Sequence, residues 1–401
     1  MQSLRRTDSL ESTLQNRLNH RRERGSLRKL ACCSERVDFT SNDYLGLARS
    51  AELTRRIEDK LRATNASSPR NGSTGSRLLS GNSSWAEALE QKIATFHETE
   101  SAILFNSGYD ANFGALSALL ANGDTVFYDE LCHASMHDGI RLGKAHAHPF
   151  KHNNPRHLEQ RLARLRVQKM ASNGSAASSA TWIVVESLYS MNGDRAPLRE
   201  LASVARRFDA HLFVDEAHAT GIFGPSGAGI VQRLGLASEV DVRVHTFGKA
   251  LGCHGAVVVG PRAVKQYLIN FARPLIYSTA LPPHSLAAIE AVYDLLPELD
   301  PARAELQKRV KFFRSVAEAH DLKSLLESES PIQALVVPKA NSVCELAGKV
   351  QTDGFDVRPI LSPTVPRGQE RIRICLHAYN SEEEIRGLVL ALKDRLEELG
   401  Q

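Results

Sequence analysis

Between residues 101 and 259, short apolar runs alternate with segments of helical periodicity, and this alternation narrows the fold more than any other feature of the chain. Residues 101–105, 125–128, 181–185, 211–214 and 242–247 read as strands. A helix starts near Tyr109, and 135–142, 157–166 and 198–208 read as helices. Residues 256–259 begin an antiparallel return. Such a pattern predicts an α/β fold with a mostly parallel central sheet covered by helices on both faces. From about residue 285 the pattern changes to a long helical stretch and then a smaller α+β unit, with 331–337 and 370–376 as its strands. The division expected is an N-terminal helix and arm over 1–45, a large α/β domain over 46–284 and a C-terminal α+β domain over 285–401.

Two of the strands end in chemistry. The run 211–214 delivers Asp215-Glu216-Ala217-His218, and the run 242–247 delivers Lys249 into a turn bounded by Gly248 and Gly252. Parallel α/β sheets bind ligands at the carboxyl ends of their strands. A lone lysine between glycines is ordinarily a solvated loop residue. Paired with a carboxylate at a neighbouring strand end, it points to pyridoxal 5'-phosphate (PLP), which takes a Schiff-base lysine and an acidic partner for its pyridine nitrogen. The Asp-Glu-Ala-His box also suggests a nucleotide-driven helicase, but that needs a G-x-x-x-x-G-K-[ST] loop upstream. The nearest candidate, residues 139–145, has the wrong spacing and no hydroxyl after its lysine.

A chain of 401 residues buries a substantial core. Its formal charge of +4 is small and dispersed, which does not favour nucleic acid. Basic density peaks at Arg17, Arg21, Arg22, Arg24, Arg28 and Lys29, by default a solvated helix face, with anionic substrate recognition as the alternative. The helix there is expected over 9–30, with Leu10, Leu14 and Leu18 on one face. Six cysteines are scattered without a C-x-x-C pair, as in a cytosolic enzyme with reduced thiols. No apolar run is long enough to span a bilayer and no signal-peptide core is present, so the expected location is cytoplasmic. Residues 68–83, dense in Gly, Ser and Asn, read as ordered loop before a helix over 85–99. The low-complexity insert 170–180 reads as a surface loop, and His146, His148 and His152 as a surface cluster. His133 and His137, four apart, lack an evident third ligand, so no metal site is expected.

The segment Asn106-Ser107-Gly108-Tyr109-Asp110-Ala111-Asn112 joins a strand to a helix, where free amides and a glycine make an anion site suited to a single phosphate. Alongside it, and in order, stand the runs 41–47 (Ser-Asn-Asp-Tyr-Leu-Gly-Leu), 72–81 (Gly-Ser-Thr-Gly-Ser-Arg-Leu-Leu-Ser-Gly), 129–135 and 189–194. The aspartate and lysine motifs, 276–279 (Ile-Tyr-Ser-Thr) and 363–366 (Pro-Thr-Val-Pro) complete the set. Together they resemble the α-oxoamine synthases, PLP-dependent transferases of fold type I, over residues 10 to 395.

The resemblance implies the following roles. Lys249 is the Schiff-base lysine and proton shuttle, Asp215 the pyridine-nitrogen partner, and His133 the imidazole stacked on the ring. Ser190 and His218 approach the phenolic oxygen; Gly108, Tyr109 and Thr246 hold the phosphate and cofactor loop. Ser278 and Thr279 reach the phosphate of a neighbouring subunit, which implies a homodimer. Asn42 and Arg373 hold the amino-acid carboxylate, Arg28 lies near the acyl-CoA, and Thr364 is a further substrate-binding residue. The activity implied is decarboxylative condensation of L-alanine with a pimeloyl thioester, on CoA or on acyl carrier protein. Another amino acid and acyl-CoA pair, an aminotransferase-like enzyme and a catalytically silent homologue are the alternatives.

Overall fold

The computed structural model describes residues 9–23, 26–28, 30, 35–65, 70–171 and 179–400. Most of the 170–180 insert, together with Arg24, Lys29, Cys32 and Cys33, lies outside these residues. The chain forms two compact units, one of residues 42–307 with 377–379, the other of residues 1–41, 308–376 and 380–401. These units do not coincide with the expected divisions after 45 and 284. Residues 285–307 belong to the large unit because helix Pro283–Leu295 packs on helix Ala51–Asn65. There Lys60 pairs with Glu290 at 2.7 Å and with Asp294 at 2.8 Å.

The first strand, β1 (Val37–Asp38), belongs to the small unit. The large unit carries β2 (Ser101–Phe105), β3 (Thr125–Asp129), β4 (His146–Phe150), β5 (Thr181–Glu186), β6 (His211–Asp215), β7 (Val242–Thr246) and β8 (Ala256–Gly260). They form one sheet in the order β2-β8-β7-β6-β5-β3-β4. Only β8 runs against its neighbours, β2 and β7, as the antiparallel return predicts. β2, β5, β7 and β8 are buried at every position, so their Val- and Ile-rich runs need apolar cover on both faces. On one face Ile103, Val126, Val184, Phe213, Val244 and Val258 pack with Ala111, Leu116, Met136 and Ile140. The edge strand β4 is absent from the sequence reading, because only Phe150 of its five residues is buried and no apolar run marks it.

Parallel register sets the functional edge. Glu186 of β5 stands opposite Asp215 of β6, which stands opposite Val244 of β7, so these strands end side by side. The glycine-rich segment is an ordered loop, as expected. Ser73 Oγ donates to the Leu281 carbonyl at 2.6 Å, and Arg77 reaches the fully buried Glu90 carboxylate at 2.6 Å. Lys265 at 2.7 Å and the Leu104 amide at 3.0 Å complete that carboxylate's shell.

In the small unit, β9 (Ile332–Val336), β10 (Phe355–Asp356), β11 (Arg358–Ile360) and β12 (Arg371–Cys375) follow. β12 is central and antiparallel to both β11 and β9, while β1 pairs with β10 in parallel. Phe39, Val310, Phe313, Leu346, Ile372, Ile374 and Leu388 are among the residues of its core. The N-terminal helix runs Leu10–Glu23 and stops short of residue 30. Its leucine stripe is not buried: Leu10, Leu14 and Leu18 are all exposed.

Candidate active site

A cavity of about 260 Å³ opens where β5, β6 and β7 end. Of the residues singled out in the sequence, Asn42, Gly108, Tyr109, His133, Asp215, His218, Thr246 and Lys249 line it together. Ser190 does not; it is buried, and its amide donates to Glu186 Oε2, a group that does line the cavity, at 3.3 Å. Ser278 and Thr279 line a different cavity of this chain, with Arg77 and Asn106. Arg28, Thr364 and Arg373 belong to the small unit. Arg28 is exposed. Arg373 is half-buried on β12 and donates from a guanidinium nitrogen to Cys375 Sγ at 3.0 Å.

Lys249 is presented by a turn closed by three backbone bonds. The Phe247 amide donates to the Gly255 carbonyl at 3.0 Å, Cys253 to Phe247 at 2.8 Å and Gly252 to Lys249 at 2.8 Å. Gly252 has φ +63°, and a Cβ there would lie 2.4 Å from the Ala48 nitrogen, so only glycine serves. The lysine position thus follows from β7 and from the close approach of the segment 47–48.

Asp215 is held by its neighbours. Its Oδ1 accepts the Ala217 amide at 2.7 Å, and its Oδ2 accepts Asn112 Nδ2 at 2.6 Å. Asn112 also donates to Ser135 Oγ at 3.1 Å, which in turn meets His133 Nδ1 at 2.7 Å. His133 caps helix Ala134–Leu142, its Nδ1 receiving the Ser135 amide at 3.2 Å. One polar chain therefore orients both the carboxylate and the imidazole. Burial lowers the pKa of His133, with Asp215 opposing and Lys249 adding to the effect. Asn112, Ser135 and Glu186 went unassigned in the sequence reading. Asn112 was visible there only as the end of the Asn106–Asn112 motif, with nothing to show that it faces Asp215.

Glu186 is the second carboxyl of the site. Burial and then the neighbouring Asp215 charge push its pKa well above the usual carboxylate range, which favours its neutral form beside Asp215. Its Oε1 is buried, with no hydrogen-bond partner among the described residues. On the other side His218 Nδ1 lies 2.8 Å from the Tyr44 hydroxyl, which donates to Asn42 Oδ1 at 3.0 Å.

The phosphate-loop expectation rests on helix Gly108–Leu119, capped by Ser107, whose Oγ accepts the Asp110 amide at 3.1 Å. The first-turn amides of Gly108 and Tyr109 have no acceptor within the helix and carry its positive end. A Cβ on Gly108 would lie 2.4 Å from Thr246 Cγ2, so glycine lets the helix start pack closely on Thr246, and both residues line the cavity. Tyr109 is partly exposed, and its hydroxyl donates to Asp138 at 2.6 Å. An anion cradle, a lysine, a braced buried carboxylate and an imidazole around one cavity fit PLP.

Comparison with known proteins agrees. Residues 34–392 match the family described as aminotransferase class I and II. The chain is 43% identical over 397 residues to the 8-amino-7-oxononanoate synthase of Emericella nidulans, covering 95% of this chain and 94% of that protein. It is 37% identical to the 8-amino-7-oxononanoate synthase of Haemophilus ducreyi, covering 89% and 90%. Among solved structures, the 8-amino-7-oxononanoate synthase of Francisella tularensis matches with TM-score 0.73 at 29% identity, covering 91% of this chain and 99% of that one. A serine palmitoyltransferase from S. paucimobilis with bound PLP–myriocin aldimine matches with TM-score 0.86 at 26% identity, covering 98% and 100%. The chain belongs to the aminotransferase class I and II family and, within it, to the PLP-dependent α-oxoamine synthases of the 8-amino-7-oxononanoate synthase kind.

Proposed function

We propose that the protein condenses L-alanine with a pimeloyl thioester, releasing 8-amino-7-oxononanoate, the thiol carrier and carbon dioxide. The observation that carries this reading is the joint placement of Lys249, Asp215, His133 and the Gly108–Tyr109 helix start around one cavity, in a chain 43% identical to such an enzyme. When bound, PLP supplies the electron sink that stabilises negative charge at the substrate α-carbon.

The chain's own residues do the rest. Amides at the start of helix Gly108–Leu119 hold the phosphate by charge and hydrogen bonding. Asp215, braced by Asn112 and the Ala217 amide, would partner the ring nitrogen and favour its protonated form. Burial of Glu186 disfavours a second negative charge there. His133, fixed by Ser135, would cover the ring face. Lys249 would hold the cofactor, and its Nζ is the base placed to take the proton from the substrate α-carbon. That carbon then bonds to the acyl carbon as the thiolate leaves. Carbon dioxide departs from the β-keto acid, and Lys249 returns a proton to the same carbon. Resemblance to the family assigns Asn42 and Arg373 to the alanine carboxylate, Arg28 to the acyl substrate and Thr364 to substrate binding.

Pimeloyl-CoA and pimeloyl-acyl carrier protein both satisfy this chemistry as donor. The working enzyme is proposed to be a cytoplasmic homodimer, with Ser278 and Thr279 completing the neighbour's phosphate site. Exposed Leu79, Phe271 and Tyr277 in the large unit support a subunit contact. Lys249→Ala tests the reading: turnover and the visible absorption of the lysine-bound cofactor are both expected to vanish with the fold intact. Normal turnover in that variant contradicts it.

A further inference from the structure

The sequence reading placed His152 among surface histidines, and the structure does not. Its side chain is 18% exposed and lies between two carboxylates, with Nδ1 2.9 Å from Asp129 Oδ1 and Nε2 2.6 Å from Asp194 Oδ2. A neutral imidazole has one N–H and one lone pair, so it would set that lone pair against a carboxylate. Only the doubly protonated ring satisfies both ends.

Each carboxylate shapes a segment of the site. Asp129, fully buried at the end of β3, accepts the Leu131 amide on Oδ1 at 2.9 Å and the Asn153 amide on Oδ2 at 2.8 Å. Its carbonyl accepts the Cys132 amide at 3.1 Å, and this turn delivers His133. Asp194 closes the loop after β5. Its carbonyl accepts the Tyr189 amide at 2.9 Å, and its Oδ2 accepts Asn153 Nδ2 at 2.6 Å. Asn153 Nδ2 also reaches the Arg195 carbonyl at 3.2 Å. That loop carries Ser190, whose amide bonds Glu186.

We propose that His152 is a positioning residue, its imidazolium clamping the turn that carries His133 to the loop that carries Ser190. The charged and titratable groups facing it are Asp129 and Glu130 from the end of β3, and Tyr189 and Asp194 from the loop after β5. Glu130 Oε1 accepts the His152 amide at 3.1 Å, and the Tyr189 ring meets the imidazole edge-on at 4.4 Å. Burial lowers the pKa of His152, but hydrogen bonds and charge from Asp129 and Asp194 outweigh it and raise it to about 9. The folded value exceeds the unfolded one of about 6.5. The clamp's stabilisation is therefore full below pH 6.5 and is lost as pH rises toward 9. The link to His133 and Ser190 rests on the function proposed above; the clamp itself does not.

The test compares the full-length wild-type protein with His152→Gln and Asp194→Asn. Without cofactor, the Tm difference between wild type and His152→Gln is expected to be largest below pH 6.5 and to shrink by pH 9.5; a constant difference overturns the clamp. With PLP bound, His152→Gln is expected to keep cofactor content and KM within about threefold, and to lose about 10- to 100-fold in kcat, the scale of a small misplacement of catalytic groups. The visible circular dichroism of wild-type enzyme should change in a step near pH 9 that His152→Gln lacks. Wild-type kcat in His152→Gln, or the same step in both proteins, overturns the positioning role. If His152→Gln does not fold, Asp194→Asn decides: removing one carboxylate must move the step to lower pH, and an unmoved midpoint refutes the inference. Wild-type turnover in the same preparations reports separately on the proposed function.

Discussion

Gly108→Ala tests whether the start of helix Gly108–Leu119 is the phosphate cradle. The added Cβ would lie 2.4 Å from Thr246 Cγ2 and 3.4 Å from Thr246 Cβ. Carbon contacts are favourable near 3.5–4.0 Å, so more than an ångström must be found by moving the helix start or turning Thr246. Thr246 is 8% exposed on β7 and β-branched, which leaves it little rotamer freedom. Overpacking of this kind costs about 1–3 kcal/mol. If the helix start gives way, that cost falls on cofactor binding, about 5- to 150-fold in Kd. The assay is PLP titration of the apo-protein by protein fluorescence, beside a melt of the apo-protein. Thr246→Ser removes Cγ2 and keeps the hydroxyl, so the Gly108→Ala/Thr246→Ser pair should recover most of the lost affinity. Unchanged affinity in Gly108→Ala, or no recovery in the pair, refutes the cradle.

Two further outcomes follow from the same structure. Asn112→Leu removes the donor to buried Asp215 Oδ2, a bond to a charged group worth about 1.5–3 kcal/mol; PLP affinity should fall at least tenfold, and unchanged affinity would show that Asp215 needs no brace. Stability should also fall below pH 6.5. His97 and His245 are stacked and fully buried; burial and then the Arg243 charge lower His97 to about 3, while burial, His97 and Arg243 lower His245. Both stay neutral in the native protein while the unfolded chain takes up protons below about pH 6.5, at up to about 1.4 kcal/mol per pH unit for each histidine. His97→Gln should flatten the slope of urea stability between pH 6.5 and 5, and an unchanged slope contradicts the assignment.

Much of the large sheet was legible because its strands are uninterrupted apolar runs that end in polar residues. Asp215 and Lys249 announced themselves in this way, as did the antiparallel β8. Strand β4 was hidden because an edge strand need not be apolar: His146, His148 and Pro149 occupy it and only Phe150 is buried. The histidine spacing there suggested a surface cluster, whereas His152 takes its partners from 23 and 42 residues away, which no local pattern reports. Glu186 looked like the polar end of an apolar run, and only the register with Asp215 reveals two carboxyls side by side. The leucines of the first helix have the spacing of a buried face but are exposed, since periodicity shows that a face exists and not what covers it. The compact unit runs past the expected boundary at 284 for a related reason. Helix Pro283–Leu295 continues the large unit by packing on helix Ala51–Asn65, a contact between segments more than two hundred residues apart.

The central claim is the condensation itself. Purified, PLP-loaded protein is incubated with L-alanine and pimeloyl-CoA, and thiol release is followed beside glycine and serine and beside acetyl-, succinyl- and palmitoyl-CoA. The account predicts release confined to alanine with pimeloyl-CoA, with the nine-carbon amino ketone found by mass and no release from Lys249→Ala. Release with a different pair would keep Lys249 chemistry and move the protein to a sister activity. No release with any pair, from protein that binds PLP, would contradict the acyl transfer proposed here.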